Sequence, residues 1–236
     1  MRKIKMALWA MGMMVSLATQ AQTADEVINS HINAMGGKEK LAALKTVRME
    51  CNLSMMGQEL PMVITRAQGI GQRVDLSIMG TENYIIATPT AGWMYMPIQG
   101  QSEAQPMPEE MLKASKDQLD LQGPLFNYKE KGNTVELVGK EKVDGADAFK
   151  LKVTDKGGKV SHLFIDATTY YHVKSVMTTN VNGEDMEISV TQSNFKKTAD
   201  GYVFPWTIGN SAQGDMNVTK LDVNLPVDEK LFKPVK

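Results

Sequence analysis

The sequence predicts a mainly β (α+β) protein: an incomplete, strongly curved antiparallel β-barrel of about 10–12 strands with helices packed in its open mouth. Three observations predict it. Apolar residues alternate with a period of two from Val47 onward, through segment after segment, to the neighbourhood of Val223. Turn signals such as Lys156-Gly157-Gly158, Asn182-Gly183 and Asp200-Gly201 separate those segments. Only two stretches of any length show helical spacing, and no composition shift marks a linker. One sheet of this size must curl to bury its apolar face, and helices laid in the mouth cover what remains.

The chain opens with Arg2, Lys3 and Lys5, an apolar run from Met6 to Leu17, and Thr19-Gln20-Ala21, the build of an export signal cleaved after Ala21. About a dozen apolar residues are too few to span a bilayer comfortably. The expected product is residues 22–236, a single soluble domain released into the periplasm. Thr23 with Glu26 then reads as a capping box, followed by Val27, Ile28, Ile32 and Met35 at helical spacing and closed by Gly36-Gly37, a helix over 24–35. A shorter helical piece, "KEKLAALK", follows.

Val47, Met49, Cys51, Leu53 and Met55 next alternate with polar residues, and Gly57-Gln58 turns the chain into Leu60, Met62, Ile64 and Arg66, two antiparallel strands. "RVDLSIM", "NYIIAT" and "GWMYMP" are the next strands, and "GIG" at Gly69–Gly71 is a turn between two of them. After "IQGQSEAQP", Pro108, Met111, Leu112, Ser115 and Leu119 predict a second amphipathic helix over 108–121, stopped before Gly123-Pro124. Strands resume with "TVELVGKEKV", "DAFKLKVT", "KVSHLFID", "YHVKSVMTT", "MEISVTQSNF", "YVFPWTIG" and "MNVTKLDVN".

Charge and chemistry exclude more than they suggest. Beyond residue 21 stand 23 basic against 27 acidic residues, a balance of −4 with no basic cluster, so nucleic acid is not an expected partner. The single cysteine, Cys51, forbids an internal disulfide and is expected to be buried and inert. "GNSAQG" at Gly209–Gly214 has one residue too many for a nucleophile elbow and lies between strands. His162 and His172 lie on strands paired so that His172 faces Ile165 and His162 faces Ser175, with no third ligand in sight. Acidic residues are scattered, which leaves open a carboxylate pair distant in sequence. No metal, no cofactor and no catalytic residue is assigned.

Methionine is the positive signal. Of the 13 Met beyond the export segment, nine fall between Met49 and Met111. Flexible thioethers suit a surface for varied apolar ligands, and they equally suit a core that uses Met as filler. Arg66 lies in phase with Leu60, Met62 and Ile64, on the inward side. It either snorkels out at the strand end or stands in a cavity where a charge is useful.

Read together, "VITRAQGIGQRVDL" and "GWMYMPIQGQ" resemble the bacterial outer-membrane lipoprotein carriers of the LolA/LolB-like superfamily. Arg66 falls at that family's strand-end arginine, and Trp93, Tyr95 and Pro97 match its later Trp-x-Tyr-x-Pro segment. The early helix, the helix after the tryptophan strand and the terminal "DEKLF" also fit, so the resemblance covers most of the exported chain. It implies a half-open barrel whose apolar cavity shields acyl chains, and an arginine that helps hold a helical lid.

The expectation is therefore a periplasmic carrier or chaperone with a long apolar trough and no enzymatic activity, monomeric, whose partners are lipoprotein acyl chains or lipid and the envelope membrane proteins that load or receive them. Met49, Met55, Met62, Ile64, Trp93 and Tyr95 form its wall, helices 24–35 and 108–121 its movable lid, and Arg66 the tether. Two other readings stay open: an envelope interaction or stress-sensing module of the same fold, and an enzyme with an unrecognised carboxylate site.

Overall fold

The computed structural model describes residues 22–55, 57–181 and 184–235; the expected export segment and the Asn182-Gly183 turn lie outside them. Helix α1 (Ala24–Ala34) starts at Thr23, whose Oγ1 accepts from Glu26 N while Glu26 Oε2 accepts from Thr23 N, the reciprocal cap that the sequence announces. Helix α2 (Lys38–Ala43) follows after Gly36-Gly37. Gly36 has φ +126°, and a Cβ there would stand 2.9 Å from the carbonyl oxygen of Gly201, so the chain passes close over the loop that carries Tyr202.

Five strands come next: β1 (Thr46–Met55), β2 (Gln58–Ala67), β3 (Gly71–Ile78), β4 (Thr81–Ala87) and β5 (Gly92–Tyr95), with a two-residue β6 (Gln105–Pro106). Helix α3 (Glu109–Ser115) continues as a 3-10 turn over Lys116–Leu119. Then follow β7 (Thr134–Val143), β8 (Ala146–Thr154), β9 (Val160–Asp166), β10 (His172–Val181) and β11 (Glu184–Ser193). A small ribbon of β12 (Lys196–Lys197) and β13 (Val203–Phe204) precedes β14 (Thr207–Asn210), β15 (Gly214–Val223) and a 3-10 turn at Glu229–Phe232.

Thirteen strands form one antiparallel sheet in the order β6-β5-β4-β3-β2-β1-β15-β14-β11-β10-β9-β8-β7, and β6 does not pair with β7, so the curled sheet stays open. The sheet exceeds the expected 10–12 strands through the two-residue β6, and "YVFPWTIG" is not one strand. Pro205 lacks the N–H a ladder needs and divides it into β13 and β14.

Period-two geometry and register define two faces. On one, Met49, Ile64, Val74, Ile85 and Met94 lie side by side across β1 to β5, and Cys51, Met62 and Leu76 form the next row. The same face continues through Met216, Ile208, Ile188 and Met177 to Leu163 and Leu151, where Val27 and Ile28 of α1 pack. This is the inner face. Its core has two parts: the α1 cluster with Phe149, Leu151, Val153 and Ile165, and a second cluster of Met49, Cys51, Met62, Ile64 and Val218 covered by Leu44, Leu121, Tyr202 and Trp206.

The outer face of β3 to β5 has a cover of its own. Tyr84, Ile86, Trp93 and Tyr95 pack with Phe232 and Val227 from the C-terminal segment. Phe232 lies flat on Gly71, where a Cβ would come within 2.8 Å of the ring. Arg73 stacks its guanidinium 4.3 Å from the Tyr84 ring centre and donates to the Leu231 carbonyl, while Val235 N donates to Tyr84 Oη.

Candidate functional site

The inner face is unevenly covered. At the end of the strands nearest Leu44 it is packed: Val47, Met49, Cys51, Met62 and Ile64 are all buried. Farther along the strands Leu53, Leu76, Ile188 and Met216, and sideways toward the β5 edge Ile85 and Met94, are only half-buried, though all stand in inward phase. A run of aliphatic and thioether side chains lining a curled, unclosed sheet is a surface for an apolar ligand of irregular shape.

Of the sequence-predicted wall, Met49, Met62 and Ile64 come together as one patch on adjacent strands. Met55 does not join them. It is the last residue of β1 and 42% exposed, because the strand runs past the covered part of the sheet. Trp93 and Tyr95 do not join them either. Register with β4 places Trp93 beside Ile86 and Tyr95 beside Tyr84, both outward, and puts Met94 inward in their stead. In β5 both phases are apolar, so alternation alone could not choose between them.

Arg66 stands inward, between Val47 of β1 and Gln72 of β3. Its Nε donates to Gln72 Oε1 at 2.5 Å. Dense surroundings push its pKa down to about 10 although part of its surface stays accessible, and the Cys51 thiol lies within reach of its charge. Among the described residues it makes no ion pair and no hydrogen bond to either helix. The connection expected of Arg66 is made two residues later, by Gln68. Gln68 Oε1 accepts from Leu121 N at 2.6 Å, Gly69 N donates to the Leu119 carbonyl, and Lys131 clamps Asp120 at 2.6 Å from the far side. Nothing in the local pattern marked Gln68, a polar residue in a turn.

The two expected lid helices differ in how they are held. Helix α1 buries Val27 and Ile28 and is tied by Tyr128 Oη and Lys129 Nζ to Asp25, and by His31 Nδ1 to the Tyr170 carbonyl at 2.9 Å. Helix α3 buries no side chain, and Met111 is exposed. Its expected span of 108–121 shortens accordingly; what touches the sheet is Leu119 and Leu121 beyond it.

Cys51 is buried, and its Sγ faces the Met62 carbonyl at 3.8 Å. Burial raises its thiol pKa to about 11, with Arg66 opposing that shift, so it is neutral at pH 7. An aromatic disulfide reagent is expected to leave Cys51 unmodified in the native protein and to react at once in denaturant; rapid native labelling would contradict the placement of β1. The histidines are not a metal pair. His162 pairs with Val176 and not with Ser175, because a bulge between His172 and Lys174 shifts the register, while His172 does face Ile165. His172 is instead close enough to His31 for their charges to interact.

Two surface clefts lie elsewhere. One of about 510 Å³ is bounded by Glu39, Lys40, Asp200, Tyr202 and Asn224, and one of about 380 Å³ runs between α1 and residues 125–130. Neither is lined by the methionine strands.

No protein-family model matches the sequence. No curated protein matches it either. Solved structures do. A LolA superfamily protein from Nitrosomonas europaea aligns over 90% of this chain and 98% of its own, with a TM-score of 0.58 and 14% identity. The chain has the LolA-type fold. A putative outer membrane lipoprotein-sorting protein domain from Vibrio parahaemolyticus shares this LolA-type architecture over 88% of this chain and 95% of its own, with TM-score 0.53 and 18% identity. A DUF1329 family protein from Desulfovibrio piger does so at 0.57 and 12%, over 90% and 98%. In LolA-type terms the half-buried inner strip is the face of the open barrel, and Trp93 and Tyr95 lie behind it.

Proposed function

We propose that the protein is a periplasmic carrier that shields the acyl chains of a lipid or lipoprotein along its inner face, in the service of outer-membrane lipoprotein or lipid traffic. The observation that carries this reading is the half-buried strip of Leu53, Leu76, Ile85, Met94, Ile188 and Met216 on a sheet that does not close. Moving an acyl chain through water requires shielding worth about 0.8 kcal/mol per CH₂, which a long adaptable apolar strip can supply. The export signature at the start of the sequence supports the compartment, and the lipoprotein-sorting name of the Vibrio relative of the same fold supports the cargo class. The reading requires no covalent chemistry. Among the described residues, no helix is long and apolar enough to cross a membrane.

The test is native mass spectrometry with lipid extraction on protein purified gently from a bacterial periplasm. Acyl species are expected to co-purify and to be displaced by a hydrophobic probe. Leu76→Asp and Ile188→Asp place a carboxylate on the strip where it keeps access to water, so each is expected to fold and to lower occupancy about tenfold or more. A clean ligand-free mass with no probe binding would overturn the carrier.

A further inference from the structure

Among the described residues, six other than glycine hold a left-handed backbone: Met79, Asn127, Asp144, Tyr170, Asn194 and Asn224. Asparagine and aspartate tolerate that region because their short polar side chains bond locally. Tyr170 is held in it by packing, stacked on Phe149 with its Oη accepting from Gln22. Met79 has no such support, for its side chain is 85% exposed.

The fold contains its own comparison. Hairpins β3–β4 and β7–β8 each close through two residues of positive φ, Met79 (+51°) and Gly80 (+76°) in the first, Asp144 (+49°) and Gly145 (+85°) in the second. Such a turn favours Asn, Asp or Gly at its first position, as β7–β8 has. In β3–β4 a long apolar side chain stands there in water, which adds a solvation cost to the backbone cost. Neither cost is recovered by a contact among the described residues, and local strain of this kind persists where function requires it.

Register places the β3–β4 turn at one end of the sheet, with the β1–β2, β14–β15 and β10–β11 turns. Met55 and Met186, also exposed, lie along this rim. The rim has one sign of charge. Residues 54–62, 77–83, 95–104, 178–189 and 207–217, the segments that reach it, include Glu59, Glu82, Glu187 and Asp215 and no Lys or Arg. Lys156 and Lys159 belong to the β8–β9 turn, farther round. An anionic lipid surface repels an acidic rim, whereas a protein surface with basic side chains attracts it. A flexible thioether fits an irregular apolar pocket, and Met is enriched at the centre of protein interfaces.

We infer that the β3–β4 turn is a docking knob: Met79 inserts into an apolar pocket of an envelope protein, and Lys or Arg around that pocket meet Glu59 and Glu82. This goes beyond the carrier reading and takes from it only the compartment.

Cosedimentation with sheared envelope fragments of the bacterium that makes the protein tests it, with trypsin-treated fragments and vesicles of the extracted envelope lipids in parallel. Binding to the untreated fragments is expected, weakened by salt, lost after trypsin and at least about tenfold weaker on the lipid vesicles. Met79→Asn suits the turn, so it is expected to melt at or above the wild-type midpoint and yet to bind at least about tenfold more weakly. Met79→Leu, which keeps an apolar knob, is expected to retain binding, and Glu59→Lys with Glu82→Lys to weaken it. Unchanged binding of Met79→Asn overturns the knob, and a lowered midpoint makes Met79 a structural residue of the turn and overturns it equally. Lipid vesicles bound as tightly as native fragments replace the protein partner with a bilayer and overturn the inference, as does no binding to the fragments. The carrier reading is decided separately, by co-purified acyl species.

Discussion

Phe232→Ala is expected to destabilise the protein by about 3–5 kcal/mol and to release the C-terminal segment from the outer face of β3 to β5. Phe232 is 3% exposed and belongs to a cluster with Ala67, Tyr84 and Ile86. Its removal leaves a ring-sized space over Gly71, which has no side chain to fill it. The Arg73 and Val235 hydrogen bonds to this segment then lose the packing that holds their partners in place. For a domain of this size each kcal/mol corresponds to roughly 2–4 °C in the melting midpoint, so calorimetry reads the effect directly. Gly71→Val reaches the same end from the opposite side, by driving a side chain into the ring. A midpoint unchanged in both variants would show that the segment contributes nothing to the fold.

The second large effect is acid sensitivity. Burial pushes the His172 pKa from an ordinary 6.5 down to about 4, the positive charge of His31 pushes the same way, and the Lys174 carbonyl opposes them. Burial also lowers His31, which the Tyr170 carbonyl opposes. Folding thus prefers both rings neutral. Between pH 6.5 and 4 the unfolded chain takes up a proton that folded His172 refuses, so stability is full above about pH 6.5 and falls as the pH drops through that window. The loss for His172 alone is roughly 3 kcal/mol. Asp25 and Asp166, whose pKa values are held below the usual carboxylate value, act in the same direction but at lower pH. Urea unfolding measured from pH 7.5 to 4.5 should show the decline, and His172→Leu should flatten it. An equally steep decline in the variant would assign the effect to the carboxylates.

Much of this fold was legible from local pattern. The Thr23–Glu26 cap, the β1–β2 hairpin with Cys51 beside Met62, and the inward phase of Arg66 follow from spacing and turn chemistry alone. What spacing could not supply is phase where both faces are apolar. In β5, Trp93 and Tyr95 alternate with Met94, and Met96 follows directly, so the hydrophobic period is silent and only pairing with β4 decides. The outer cover escaped for a related reason: "DEKLF" contributes one aromatic residue in a polar run, and its partner is a glycine 161 positions earlier, a contact with no periodic signature. Polar ties such as Gln68 to Leu121 depend on where two loops meet in space. The candidate site was legible in its residue types and incomplete in its geometry: Met49, Met62 and Ile64 share one patch, while the end of β1 leaves Met55 outside it and the pairing of β5 with β4 turns Trp93 and Tyr95 to the other face.

The single-layered sheet has an optical consequence. Beyond residue 21 the protein has two tryptophans, and the sheet separates them: Trp206 packs against the inner cluster, and Trp93 lies among the residues under the C-terminal segment. Each is an intrinsic fluorophore for one side only. With Trp93 replaced by Phe, emission comes from the inner face; with Trp206 replaced, it comes from the back. Changes at the inner cluster and loosening of the C-terminal cover can therefore be followed as separate signals in one molecule, without an added dye.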